Sequence, residues 1–225
     1  MRWLSSVTLV ALGAALVACG GTGEAEAPEP LKPQKGEFTA LTYNVAGLPQ
    51  GLSGSNPETN IPLISPLLNG YELVLLQEDF AYHEQLFAAA KHPYRSVPKE
   101  YHVKLVDDGL NRLSEFPIGE LTRVQWVQCF GDANSGASDC LAEKGFSLAR
   151  MTFGEGVTID VYNHHGEAGN GAKDDVARRA GYEQLVTFIH EHSAGRAVIV
   201  ARDPNLNIDD VEDVPILKKF KAEAG

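Results

Sequence analysis

Four apolar runs in this 225-residue chain end in side chains that bind metals, phosphates or protons. "LTY" closes on Asn44, "LVLLQ" on Glu78, "DVYNH" on His165 beside its neighbour His164, and "AVIVAR" on Asp203 with Asn205. If these run ends gather at one edge, two carboxylates, two amides and an imidazole meet. Such a set suits hydrolysis of a phosphate ester: a divalent cation offsets charge on the phosphoryl oxygens while an imidazole protonates the leaving group. A polar residue where a strand meets solvent is ordinary at any single position, so the argument rests on the combination. His190 and His192 do not join it, because residues two apart on a helix diverge. Successive residues of a strand point to opposite faces, so only one of His164 and His165 can face the site.

The elements that must position these groups follow from periodicity. Strands are predicted at Phe38 to Asn44, Leu73 to Gln77, Gly109 to Leu113, Gly119 to Val127, Phe146 to Thr152, Thr158 to Asn163 and Ala197 to Ala201. Helices are predicted from Ile61 to Asn69, from Tyr82 to Lys91 and from Asp174 to His192. The last places Val176, Ala180, Leu185, Phe188 and Ile189 on one side. Strands in excess, with helices able to cover sheet faces, make an α/β or α+β domain.

Residues 1–19 read as a processing signal: Arg2, an apolar stretch from Val7 to Ala18, then Cys19. The apolar core is short for a membrane span and suits a secretory signal. "LVAC" resembles a bacterial lipobox, which implies lipidation at Cys19 and an exported lipoprotein of the cell envelope, at the outer membrane or cell surface. Residues 20–36, rich in Gly, Glu, Ala and Pro, are expected to form a flexible tether. Residues 37–225 suffice for one core. The formal charge of −11 becomes −12 if Arg2 leaves with the signal, since no other charged residue precedes Cys19. That surface disfavours duplex nucleic acid, whose binding depends on Lys and Arg displacing counterions. Cys129 and Cys140 flank a Gly, Ser, Asn and Asp loop and are expected to form a disulfide in an exported protein.

Six segments in order resemble the endonuclease/exonuclease/phosphatase superfamily: "LTYNVAGLP", "VLLQEDF", "DGLNRLSEFPI", "KGFSLARM", "VYNHHGEAG" and "VIVARDPNLN". The loop "CFGDANSGASDCLAEKGF" is most similar to the exported bacterial sphingomyelinase-like branch. The resemblance implies a four-layer α/β/β/α sandwich of two mostly antiparallel sheets, incomplete at the C-terminus. It also implies a monomeric Mg²⁺-dependent (or Mn²⁺-dependent) hydrolase of a phospholipid headgroup or another phosphodiester, held at a membrane by its lipid anchor. Glu78 and Asn44 match metal-site positions, His165 the general acid, and Asp203 and Asn205 the residues facing water and phosphate. Ser114 matches a supporting position. Arg202 and Pro204 depart from the family's G-D-x-N, and an arginine there is expected to tune the site or block it. A closing S-D-H segment, which carries the family's general base, does not occur in the sequence, and loss of such a base lowers rates by roughly 10²- to 10⁴-fold. The alternative expectation is an impaired or inactive lipoprotein of the same fold, acting as a binding module or arising as a gene fragment.

Overall fold

The computed structural model describes residues 36–99 and 106–224. The expected leader, Cys19 and all but the last residue of the expected tether lie outside the described residues. Strands β1 (Ala40–Asn44), β2 (Leu73–Gln77), β3 (Tyr94–Arg95) and β4 (Asn111–Ser114) form one sheet in the order β1-β2-β4-β3. Strands β5 (Ile118–Gln125), β6 (Gly145–Gly154), β7 (Val157–His165) and β8 (Val198–Asp203) form the second, in sequence order. The pairs β1–β2 and β7–β8 are parallel and the other pairs antiparallel. Both sheets are therefore mixed, with antiparallel pairing in the majority.

Alternation along the strands builds three apolar layers. Leu73 and Leu75 of β2 meet Ala149, Met151 and Val161 of the facing sheet, while Val74 and Leu76 point the other way, toward Ile61, Leu68, Leu86 and Phe87. On the far side, Phe146, Leu148 and Tyr162 pack against Tyr182, Leu185, Val186 and Ile189 of helix α3 (Ala172–His192) and against Ile216 and Phe220.

The helices depart from expectation for local reasons. The predicted helix at 61–69 starts earlier, as α1 (Pro57–Ile64), and tightens into a 3-10 segment at Ser65–Gly70; Pro66 lacks the N–H that an α-helix would need there. Helix α2 (His83–Phe87) stops short of Lys91 because Arg95 collects the carbonyls of Phe87, Ala90 and His92. In α3, Val176 is exposed and the buried stripe runs through Ala177, Gly181, Tyr182, Leu185 and Ile189. Arg178 shifts that stripe: it turns inward to donate to the Asp213 carboxylate and to the carbonyls of Glu167 and Gly169. Asp213 opens a further helix, α4 (Asp213–Glu223).

A fully buried charged side chain crosses between the sheets. Arg112 of β4 is fully buried and donates to the Val161 carbonyl at 3.1 Å and to the Ser147 hydroxyl at 2.7 Å. Burial, with Arg123 nearby, draws its pKa down to about 9, so it stays charged at neutral pH. Truncation removes both the stem and the cross-sheet donors. Arg112→Ala is expected to lower the unfolding free energy by about 3 kcal/mol, and Arg112→Met, which keeps most of the volume, by less. Urea unfolding measures both, and an unchanged midpoint for Arg112→Ala would show that the guanidinium contributes nothing net.

Candidate active site

The two parallel pairs aim their C-terminal ends at one edge. Asn44 ends β1, Glu78 follows β2, His165 ends β7 and Asp203 ends β8, and all four side chains meet. Asn44 Nδ2 donates to Glu78 Oε1 and to Asp203 Oδ2, each at 2.8 Å, joining the two sheets. Its Oδ1 accepts the Ala46 N–H at 2.9 Å, which fixes the amide with its nitrogen toward the carboxylates. His165 Nε2 lies 3.7 Å from Glu78 Oε1 and 3.8 Å from Asp203 Oδ2. Register and alternation separate the two histidines: His165 shares the inner face of β7 with Val161 and Asn163, whereas His164 points to α3 and sits edge-on to Trp126 and Tyr182.

Backbone geometry at this edge is unusual. Glu78 has φ +56°, a left-handed conformation that a side chain with a Cβ resists by roughly 1 to 2 kcal/mol. Gly109 packs behind it: a Cβ there would lie 2.9 Å from Glu78 Cα and 2.7 Å from the Phe80 ring. Asp203 Oδ1 accepts the Asn205 N–H, and Asn205 Nδ2 donates to the Gly166 carbonyl at 2.9 Å, pinning the turn after His165 to the end of β8. Trp126 Nε1 holds the His165 carbonyl at 2.9 Å. The Cys129–Cys140 disulfide is formed, and its loop reaches the same turn, where Asp139 accepts the Ala168 N–H and Glu167 accepts the Phe130 N–H.

Two carboxylates thus share one amide, and among the described residues neither has a Lys or Arg ion-pair partner. No three His, Cys, Asp or Glu side chains among the described residues are arranged as a metal cage. Hard oxygen donors with uncompensated charge fit magnesium, which keeps several waters and is bound through one or two carboxylates. Beside Glu78 opens a cavity of about 490 Å³, walled by Leu48, Leu52, Phe80, Val106 and Leu141, with Asp139 and Lys144 also lining it. His165 is deprived of charge by burial first, then by Lys144 and His164, which holds its pKa well below the usual value.

No protein-family model matches the chain. A sphingomyelinase of Mycobacterium tuberculosis is 38% identical over 182 residues, which are 78% of this chain and 35% of that protein. Among solved structures, Sphingomyelinase C from Streptomyces griseocarneus superposes with a TM-score of 0.68 at 22% identity, over 83% of this chain and 70% of that one. The chain has the DNase I-like fold. A Staphylococcus aureus beta toxin variant with bound magnesium ions shares this DNase I-like, endonuclease/exonuclease/phosphatase architecture, with a TM-score of 0.68 at 16% identity over 82% of this chain and 70% of that one. The chain is a sphingomyelinase homologue that spans about a third of the length of the curated relatives it matches.

Within that fold, Asn44, Glu78, His165 and Asp203 come together and Asn205 supports them, but Ser114 does not. Because β4 runs antiparallel to β2, Ser114 pairs with Leu73 at the far end of the sheet, about 13 Å of strand from the site at 3.3 Å per residue. Its hydroxyl accepts the Phe116 N–H instead. Asn44, expected at the metal site, turns its nitrogen to the two carboxylates and its oxygen to the Ala46 N–H. Arg202 does not block the site: one residue before Asp203, it points to the opposite face and lies over the Phe220 ring at 5.6 Å. Sequence reasoning missed Gln77, Asn163, Asp79 and Asn111, buried behind the site, and Gly109. The adjacent Gln-Glu pair and the Asp-Gly pair were their only signals.

His164 supplies a pH test. Burial, with Arg202 nearby, pushes its pKa down to about 3, and neither ring nitrogen has a hydrogen-bond partner among the described residues. Its unfolded value is about 6.5. A histidine depressed in the folded state favours unfolding as pH falls, because only the unfolded chain takes the proton. Stability is therefore expected to drop between pH 6.5 and 3, by about 1.4 kcal/mol per pH unit for one such group. Urea unfolding of the parent and His164→Phe at pH 7, 6 and 5 checks this. The two curves should diverge toward acid, and parallel curves would exclude the assignment.

Proposed function

We propose that the chain is a magnesium-dependent phosphodiesterase of the sphingomyelinase type, acting on a phospholipid headgroup. The observation that carries the reading is the single amide of Asn44 spanning Glu78 and Asp203, with the His165 imidazole beside both carboxylates. Magnesium, or manganese, bound there would offset charge on the phosphoryl oxygens, and Glu78 is the residue that would hold it. Asp203 lies opposite Glu78, where a carboxylate can orient the attacking water. An amide carries two N–H hydrogens, so Asn205 keeps one for a phosphate oxygen while the other holds Gly166. His165 is neutral in the absence of substrate; an anionic phosphate beside it would raise its pKa, and the imidazolium so formed can protonate the leaving oxygen.

Two features favour a lipid over nucleic acid. The cavity beside Glu78 has apolar walls rather than a basic rim, and the chain is acidic overall at −11, whereas phosphate tracking along a duplex requires Lys and Arg. The lipobox-like leader and the tether add an exported, membrane-anchored monomer to this proposal, which would hold the site close to its substrate.

Hydrolysis of sphingomyelin and of a generic phosphodiester by the purified chain, with magnesium or with EDTA, tests the reading. Metal-dependent turnover of sphingomyelin is expected, falling by about 10²-fold or more in His165→Ala. Turnover that ignores EDTA and the His165 variant overturns the mechanism. No turnover from a folded, monodisperse sample would leave a non-catalytic binding module of the same fold.

A further inference from the structure

Behind the site, two buried amides join the sheets. Gln77 directly precedes Glu78, and Asn163 lies two residues before His165 on the same face of β7; both are 1% exposed or less. Gln77 Nε2 donates to Asn163 Oδ1 at 2.6 Å and to Thr42 Oγ1 at 3.1 Å. Asn163 Nδ2 donates to the Leu76 carbonyl at 2.8 Å and to the Asn111 carbonyl at 3.3 Å. The Asn163 amide thus both receives from and donates to β2, one residue short of the point where β2 delivers Glu78.

Most of the contact between the sheets is apolar: Leu73 and Leu75 against Ala149, Met151 and Val161. Such contacts fix sheet separation but resist sliding only weakly, because dispersion is non-directional and small per atom pair. Hydrogen bonds of 2.6 to 2.8 Å fix both length and direction. A buried amide that lost its partner would also leave polar atoms unsatisfied, at about 1 to 3 kcal/mol, so the pair holds its own geometry. Glu78 rides on one sheet and His165 on the other, and their 3.7 Å separation is set where the two amides meet.

We propose that the Gln77–Asn163 amide pair is a positioning element that sets the spacing of Glu78 from His165, and through it metal affinity and turnover. The turnover part rests on the phosphodiesterase reading; the metal-affinity part does not need catalysis. The two side chains differ by one methylene, which supplies the test. Gln77→Asn shortens the link, Asn163→Gln lengthens it, and the double swap restores the summed reach.

For each variant, magnesium affinity by calorimetry, kcat and KM on sphingomyelin, and the urea midpoint are measured. Each single variant is expected to weaken magnesium binding by about tenfold and to lower kcat by about 10- to 100-fold with KM little changed. The double swap is expected to recover most of both. Single variants that lower only the urea midpoint, or a swap no better than the worse single variant, overturn the inference in favour of a purely structural seam. If the parent chain does not turn over sphingomyelin, the phosphodiesterase reading fails while magnesium affinity still decides the amide pair. A parent chain with no measurable magnesium affinity overturns the pair's role too. Should a single variant not fold, Thr42→Val decides in its place. It removes the Thr42 contact of Gln77 on the half-exposed edge strand, a loss in affinity of about threefold is expected, and no change counts against the inference.

Discussion

Parallel pairing of β1 with β2 and of β7 with β8 is the constraint on which the site depends. Antiparallel neighbours joined by a hairpin place their C-terminal ends at opposite edges, whereas a parallel pair needs a crossover and brings both C-terminal ends to the same edge. Here the crossovers carry α1 and α3, and each covers the outer face of its own sheet. The consequence is chemical: Asn44, Glu78, His165 and Asp203 are each the last residue of a strand or the next one along, and they converge without any long loop to aim them. Groups carried on strand ends are held more tightly than groups on loops, as a preorganised site requires.

Convergence at one edge places polar residues between the sheets just beneath it. Moving from Leu73 toward Gln77 along β2, or from Val161 toward His165 along β7, the inner face changes from aliphatic to amide to ionisable. Hydrogen bonds satisfy the transition, with Gln77 and Asn163 bonded to each other and Arg112 bonded to Ser147 and Val161. Each such group is costly to bury alone and nearly neutral when paired. The polar seam therefore specifies alignment of the sheets more than it stabilises them, and the aliphatic end supplies the hydrophobic stabilisation.

Much of this was legible because strand signals are local. The runs at 73–76 and 197–201 are apolar and bounded by polar groups, so both the strands and the chemistry at their ends could be read. The two-residue period showed that only one of His164 and His165 can face the site, the family resemblance pointed to His165, and the structure places His164 among Trp126 and Tyr182 on the helical side. What escaped were effects of tertiary partners. Arg178 of α3 is drawn inward by Asp213, which lies on another helix 35 residues onward in sequence, and periodicity within α3 carries no sign of that partner. Ser114 lies in a segment that resembles the family in order, but chain order does not say which end of a strand faces the site; antiparallel pairing with β2 sends it away. Asn163 escaped as well, since nothing local shows that its amide meets Gln77, 86 residues away.

Glu78 concentrates the conflict between stability and function. It adopts a left-handed backbone conformation, sits close to a second carboxylate, and among the described residues lacks a Lys or Arg partner. Each feature is unfavourable alone, and strain of this kind persists only where the surroundings over-determine it. Here they do: Gly109 closes behind the backbone, the Asp79 N–H is held by the Gly109 carbonyl at 3.2 Å, and the side chain is held by Asn44. The sheet register fixes where Glu78 leaves β2, and the turn fixes its direction. What the fold leaves uncompensated is charge rather than geometry, and charge is the quantity that a cation and an anionic phosphate together can balance.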